Sequence, residues 1–478
     1  MNAKDMLKGN PGKSLFFFAL PMILGNLFQQ FYNMADSIVV GRFVGEEALA
    51  AVGASYSFTT VFIMVAIGGG IGASVLTSQY LGAGQYGKMR TSIYTALTAF
   101  LGISILLSVL GLFFNPAILT GLRTPKNVMV QAVLYLNIYF VGLPFLFMYN
   151  IISSVFNALG KSHVPLYFLL FSSVLNIGLD LYMVIVLGMG VAGVAVATVV
   201  AQGVSAAASF LLLKKTLRHY PQEPQTEGKR FPAPPQADEN GSCVWPPENG
   251  RAVRPSFRRF DPCLLGKAAK IAIPSIIQQS IVSIGMLLVQ SVVNSFGSSV
   301  LAGYSAGMRV ESLCIVPMIA TGNAVSTFTA QNLGARQPQR VREGYRFGCL
   351  MVLGFEAVIC LTLNLFHRSI ASSFLQGTAG GAAYETANSY MTFLSWFFVL
   401  IGLKSATDGV LRGAGDVGVY MAANLANLSI RVLVANLCAP IWGVRAVWYA
   451  VPMGWSVNFL LSFLWFLTGR WSRKKLVS

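Results

Sequence analysis

The residues best placed to do chemistry in this chain are two aspartates, each on a helical stripe of amides and hydroxyls. Gln29, Asn33 and Asp36 recur at i, i+4 and i+7, one face of one helix. Asn176 and Asp180 lie one turn apart, with Ser172 and Ser173 a turn earlier, and Thr198, Gln202, Ser205 and Ser209 form a third stripe. A carboxylate near the centre of a membrane helix costs about 3 kcal/mol on an insertion scale. Something must offset that cost. Two buried carboxylates held close together do not both ionise cheaply, so one takes up a proton or the pair holds a cation. Such a pair couples ion uptake to a change of buried charge. The plainer reading of the Ser and Thr positions is hydrogen bonding between helices.

Those residues belong to an unusually apolar chain. With 55% hydrophobic and 11% charged residues and a mean hydropathy of +0.63, 478 residues are too charge-poor for a soluble protein. Runs of about 20 apolar residues, the length needed to cross roughly 30 Å of hydrocarbon, recur along it. They predict spans at 15–40, 50–74, 91–114, 131–156, 165–187 and 190–213, then at 268–293, 303–327, 345–366, 386–410, 417–439 and 443–469. Long unbroken runs exclude a barrel of short alternating strands. The fold class is an all-α integral membrane protein of twelve helices in two pseudo-symmetric six-helix lobes.

An internal duplication divides those helices. TSQYLGAGQ from Thr77 returns as TAQNLGARQ from Thr329, with six of nine positions identical. Pro21 pairs with Pro274, and Gly160 with Gly415. Six spans per half is an even number, so the repeats are parallel. Lys and Arg gather at the chain ends and the even-numbered loops, which places both termini in the cytoplasm by the positive-inside rule. The net charge of +17 therefore reports topology and attraction to anionic membrane lipids, with no need for a nucleic-acid partner. The expected domains are residues 1–213, a Pro-rich polar linker at 214–262, and residues 263–478. The linker has too little apolar content to pack, and disorder in the cytosol is expected.

The second half does not repeat the acids of the first. Gln279, Ser283, Gln290 and Asn294 share a face of the seventh span, but Val289 stands at the register of Asp36. Arg309, Glu311, Glu356, Lys404, Asp408 and Arg431 are its intramembrane charges. Lys404, Asp408 and Arg412 are spaced as an intrahelical ion cluster, whereas Glu356 has no partner nearby in sequence. GNPGKS from Gly9 lacks the first glycine and the preceding strand of a phosphate loop. GGGIGA from Gly68 lies inside a span, where small residues permit close helix packing. His163, His219 and His367 are isolated, and the six cysteines show no metal spacing.

Leu20-Pro21, Asn33-x-x-Asp36 followed by Gly41 and Gly45, Leu49-Ala50-Ala51, both LGA loops, Leu411-Arg412-Gly413-Ala414-Gly415 and GMGVAGVAVAT from Gly188 together resemble the multidrug and toxic compound extrusion (MATE) transporters. The likeness covers both lobes and is nearest the DinF-type or MepA-like bacterial branch. It implies a twelve-helix antiporter in the bacterial plasma membrane, exporting organic and often cationic compounds in exchange for inward H+ or Na+. It implies no cofactor and no enzymatic chemistry, and we expect a monomer. The coupling residues of that branch carry over to Asp36, Asn176, Asp180 and Thr198. Substrate-cavity positions carry over to Gln29, Tyr32, Asn33, Tyr135 and Asn150. Two other classes compete. A lipid-linked oligosaccharide flippase of the same wider fold calls for a strongly basic cavity, and a membrane-embedded enzyme calls for converging His, Cys or carboxylates.

Overall fold

The computed structural model describes residues 3–39, 43–44, 46–121, 126–221, 236–237, 243–244, 258–374 and 381–473; the side chain of Asp36 lies outside what is described. A backbone in hydrocarbon must satisfy its N–H and C=O groups internally, so apolar runs of this length fold as helices. Before the linker these are α1 (Ala3–Lys8), α2 (Pro11–Val39), α3 (Glu46–Gly82), α4 (Tyr86–Gly121), α5 (Lys126–Ala158), α6 (His163–Leu181) and α7 (Gly190–Arg218). After it come α8 (Pro262–Asn294), α9 (Ser298–Cys314), α10 (Val316–Gly334), α11 (Pro338–Phe374), α12 (Ala382–Leu394), α13 (Phe398–Ala414), α14 (Val417–Trp442) and α15 (Arg445–Leu467). Eleven described spans are long and apolar enough to cross a membrane, and α12 with α13, bent by 52°, make a twelfth. The expected twelve-span architecture is therefore the one observed. Most of the linker lies outside the described residues. Within it, β1 (Gln236–Ala237) pairs antiparallel with β2 (Cys243–Val244), a contact its composition did not announce.

The duplication persists in backbone geometry. Gly160 and its partner Gly415 have φ of 76° and 78°, and Gly188 and Gly443 have 62° and 59°. At the LGA loops, Gly84 at φ 70° is matched by Arg336 at 59°, the one non-glycine residue with positive φ among those described. Each loop is closed alike, by Gln85 N to Tyr80 O at 3.0 Å and by Gln337 N to Asn332 O at 2.8 Å. The turn has thus outlived the glycine that favours it.

Two compact units divide the chain. One is Phe28–Ile276; the other is Met1–Leu27 with Ile277–Leu476. In the first, Asp261 caps α8 through Cys263 N at 2.9 Å and Leu264 N at 3.3 Å, with Pro262 at the first helical position. Its own N–H donates to Thr95 Oγ1 at 3.0 Å, and Arg258 N donates to Thr91 Oγ1 at 3.0 Å, so the start of α8 is fastened to α4. In the second unit, Arg340 donates to the carbonyls of Met6 and Gly9 at 3.1 and 2.9 Å, fastening the chain's beginning beside α11. The most extensive helix packing there joins α10 to α13. A Cβ at Gly409 would meet Gly322 O at 2.4 Å and one at Gly413 would meet Ser326 O at 2.3 Å, so the four-residue glycine spacing sets the interhelical approach.

Candidate ion-coupling site

Two of the three N-terminal stripes meet, those of α6 and α7, and Tyr32 reaches them from α2. Asn176 and Asp180 project from α6, both essentially inaccessible at 1% and 0% exposure. With its amide oriented to satisfy its neighbours, Asn176 donates to Asp180 Oδ2 at 3.1 Å and to the Tyr32 hydroxyl on α2 at 2.8 Å. Its oxygen accepts from the backbone N–H of Thr198 on α7 at 3.1 Å. The Thr198 hydroxyl donates to Val194 O at 3.0 Å and lies 3.3 Å from the Asn176 amide. One amide therefore joins three helices and holds a carboxylate among them.

Local backbone supports this arrangement. Immediately after Asp180 and Leu181 the helix widens into a π-helical turn, Tyr182–Val186, and the chain then reverses through Gly188 into α7. Such widened turns occur where a helix must present particular side chains. Beneath the site Val184, Val191 and Val194 pack with Val44, Val52 and Tyr135. These apolar walls strengthen any charge interaction inside them.

The remaining expected positions divide. Asp36 is one turn beyond Tyr32 on α2, but its side chain lies outside the described residues. Gln29 donates to Asn33 at 3.3 Å along the exposed side of α2, and neither is joined to Asn176 by these bonds. Asn150 turns back onto its own helix, donating to Leu146 O at 2.8 Å. It is about 22 Å along α5 from Tyr135 at 1.5 Å per residue.

The C-terminal unit contains polar networks whose full extent the sequence did not disclose. The intrahelical pair is present, with Lys404 Nζ 3.2 Å from Asp408 Oδ2. Asn424 bridges both, and Ser462 donates to Asp408 Oδ1 at 2.7 Å. Arg412 does not join it. Its guanidinium reaches Asn323 on α10 at 2.6 Å and stacks over Tyr420, because α10 and α13 approach so closely. Elsewhere Tyr390 donates to buried Glu311 at 2.6 Å, linking α12 to α9. Asn424, Asn427 and Arg431 share the buried face of α14, a signal that helical spacing carried.

A family model settles the lineage: MatE matches residues 21–182 and again residues 274–437, once in each half of the duplication. The chain belongs to the MatE family. Among its relatives, the probable multidrug resistance protein YpnP of Bacillus subtilis is 28% identical over 100% of this chain and 99% of that one. An FAD transporter of Shewanella oneidensis is 22% identical over 94% of this chain and 92% of its own length. In three dimensions the chain is similar to a multidrug resistance MATE family transporter solved in an outward-facing conformation, with a TM-score of 0.85, 22% identity and 99% of both chains covered. That likeness carries the fold.

Proposed function

We propose that this MatE-family chain is a multidrug efflux antiporter, exporting organic and often cationic compounds in exchange for inward H+ or Na+ by alternating access. The observation that carries the reading is the Asn176 amide, which ties buried Asp180 to Thr198 and Tyr32 from three helices. Asp36, Asn176, Asp180 and Thr198 form the coupling network in this reading, with Gln29, Tyr32, Asn33, Tyr135 and Asn150 at substrate-facing positions. A proton or sodium ion removes buried negative charge, and Tyr32 passes the change to α2. The substrate is then released because the state that holds it is no longer the favoured one. One elementary charge falling through 100 mV supplies about 2.3 kcal/mol, roughly 1.6 decades of substrate gradient. The domains in this reading are residues 1–213 and 263–478, joined by a cytoplasmic linker at 214–262. Both termini are cytoplasmic, and the protein acts as a monomer in the bacterial plasma membrane.

Inverted vesicles under separately imposed proton and sodium gradients test it. A cationic dye should accumulate under one gradient and not the other, and Asp180→Asn should abolish that accumulation. Dye uptake indifferent to both gradients would overturn antiport. Because one relative is an FAD transporter, the substrate panel includes a flavin nucleotide; transport of the flavin alone would overturn the drug-exporter reading.

A further inference from the structure

Glu356 occupies the middle of α11, about 27 Å from either end at 1.5 Å per residue. It is buried at 9% exposure, and its Oε2 has no hydrogen-bond partner. The carboxylate lies against the backbone N–H of Val399. Val399 is the second residue of α13, just past the break at 395–397 where the tenth span bends by 52°. The first N–H groups of a helix have no intrahelical acceptor and carry the positive end of its dipole, so a carboxylate there stabilises the separate start of α13.

The same face of α11 follows the bent span across its break. Asn364, two turns beyond Glu356, donates to Ser395 Oγ at 2.9 Å and to Cys360 O at 2.8 Å. Ser395 in turn donates to Thr392 O at 2.8 Å. A turn further on, the His367 ring meets Asn388 of α12. One helix thus grips the lower segment, the bend and the upper segment of its neighbour, and of the three grips Glu356 bears the carboxylate.

We propose that Glu356 is a proton-operated latch on this bend: ionised, it holds the first turn of α13, and it takes up a proton on Oε2 as the bend relaxes. Among the described residues no Lys or Arg nitrogen lies within 4.0 Å of it. From α9 the titratable group facing it is the Cys314 thiol, and Cys360 is a turn along its own helix. Glu311 of α9 is engaged by Tyr390 of α12, Lys404 of α13 is engaged by Asp408 and Asn424, and α10 has no titratable side chain. Proton uptake is therefore not pre-empted by a built-in cation. The latch deepens the antiporter reading by adding an ion-responsive element in the unit that lacks the Asp36 register.

The test measures the bend without transport, so latch and antiport can fail separately. Spin labels go on Ala382→Cys and Gly418→Cys, both exposed and the latter in open space, in a full-length chain with its native cysteines replaced. Electron–electron distances are recorded in lipid nanodiscs at about pH 8 and about pH 5, which bracket the range of buried carboxylates. In the parent chain the distance should move by about 5 Å, as partial straightening of a roughly 20 Å half-helix produces. Glu356→Gln, which keeps the shape and an acceptor for Val399, should hold the low-pH distance at both values. Glu356→Asp should restore a shift. A distance indifferent to pH in the parent, or an undiminished shift in Glu356→Gln, overturns the latch.

Discussion

Asn176 is the residue on which the N-terminal site turns, because its one amide serves a carboxylate, a phenol and a backbone N–H. Replacing it by Leu keeps most of the volume and removes a hydrogen-bond donor from the Asp180 carboxylate, a loss of about 1–3 kcal/mol. Ion affinity should rise roughly fivefold or more, because a carboxylate that has lost a donor favours its neutralised form, at about 1.4 kcal/mol per decade, read from the ion concentration that half-saturates dye transport. Asp36→Asn removes a titratable group and preserves shape. It should abolish gradient-driven export while detergent-solubilised protein still binds drug; full transport at normal expression would move the coupling role to Asp180. Helical spacing made Asn176, Asp180 and Thr198 legible because their partners recur every turn. It did not reveal that Asn150 bonds its own backbone, since spacing carries no rotamer, nor that Tyr390 serves Glu311, 79 positions away.

At the level of helices, what the sequence disclosed was length and face. The predicted spans all match helices, since hydropathy follows directly from bilayer thickness. The break between α12 and α13 escaped because Ser395-Trp396-Phe397 contains neither Pro nor Gly. Asn364 bonds Ser395 at this break from another helix, a contact that no local pattern records. Close approach, by contrast, was written in glycines. Gly413→Val should force α13 away from Ser326 O, destabilising the protein by about 1–3 kcal/mol, the usual range for overpacking. A lower midpoint of thermal unfolding in detergent, with no change after Gly418→Ala in open space, is the expected pattern.

For the molecule as a whole, the linker offers the simplest test. Arg90 donates to the carbonyl of Tyr220 at 2.5 Å, and its neighbour Thr91 accepts from Arg258 N at 3.0 Å. The two ends of the linker are therefore fastened at adjacent residues of α4. Removing residues 222–255 leaves a short path between them, and shortening a loop whose ends are already held adds little strain. Insertion and dye export should persist in that variant; lost export at normal expression would assign the linker a function of its own. Its polarity was legible, whereas the docking of its ends on α4 was not, because it rests on hydrogen bonds between residues 130 to 167 positions apart.

The composition of the compact units also dictates an order of manufacture. The unit Phe28–Ile276 includes the start of α8, whose Ala268 and Ala272 lie against Gly72 of α3. On a ribosome adding about 5–20 residues per second, this unit waits several seconds after its own sixth span for a helix encoded beyond the linker. During that interval a membrane chaperone or a protease meets an unfinished surface. Residues 1–213 produced alone should be degraded, and supplying 214–478 from a second gene should rescue them. Each duplicated half specifies six helices, yet the first completes its compact unit only with a helix encoded in the second.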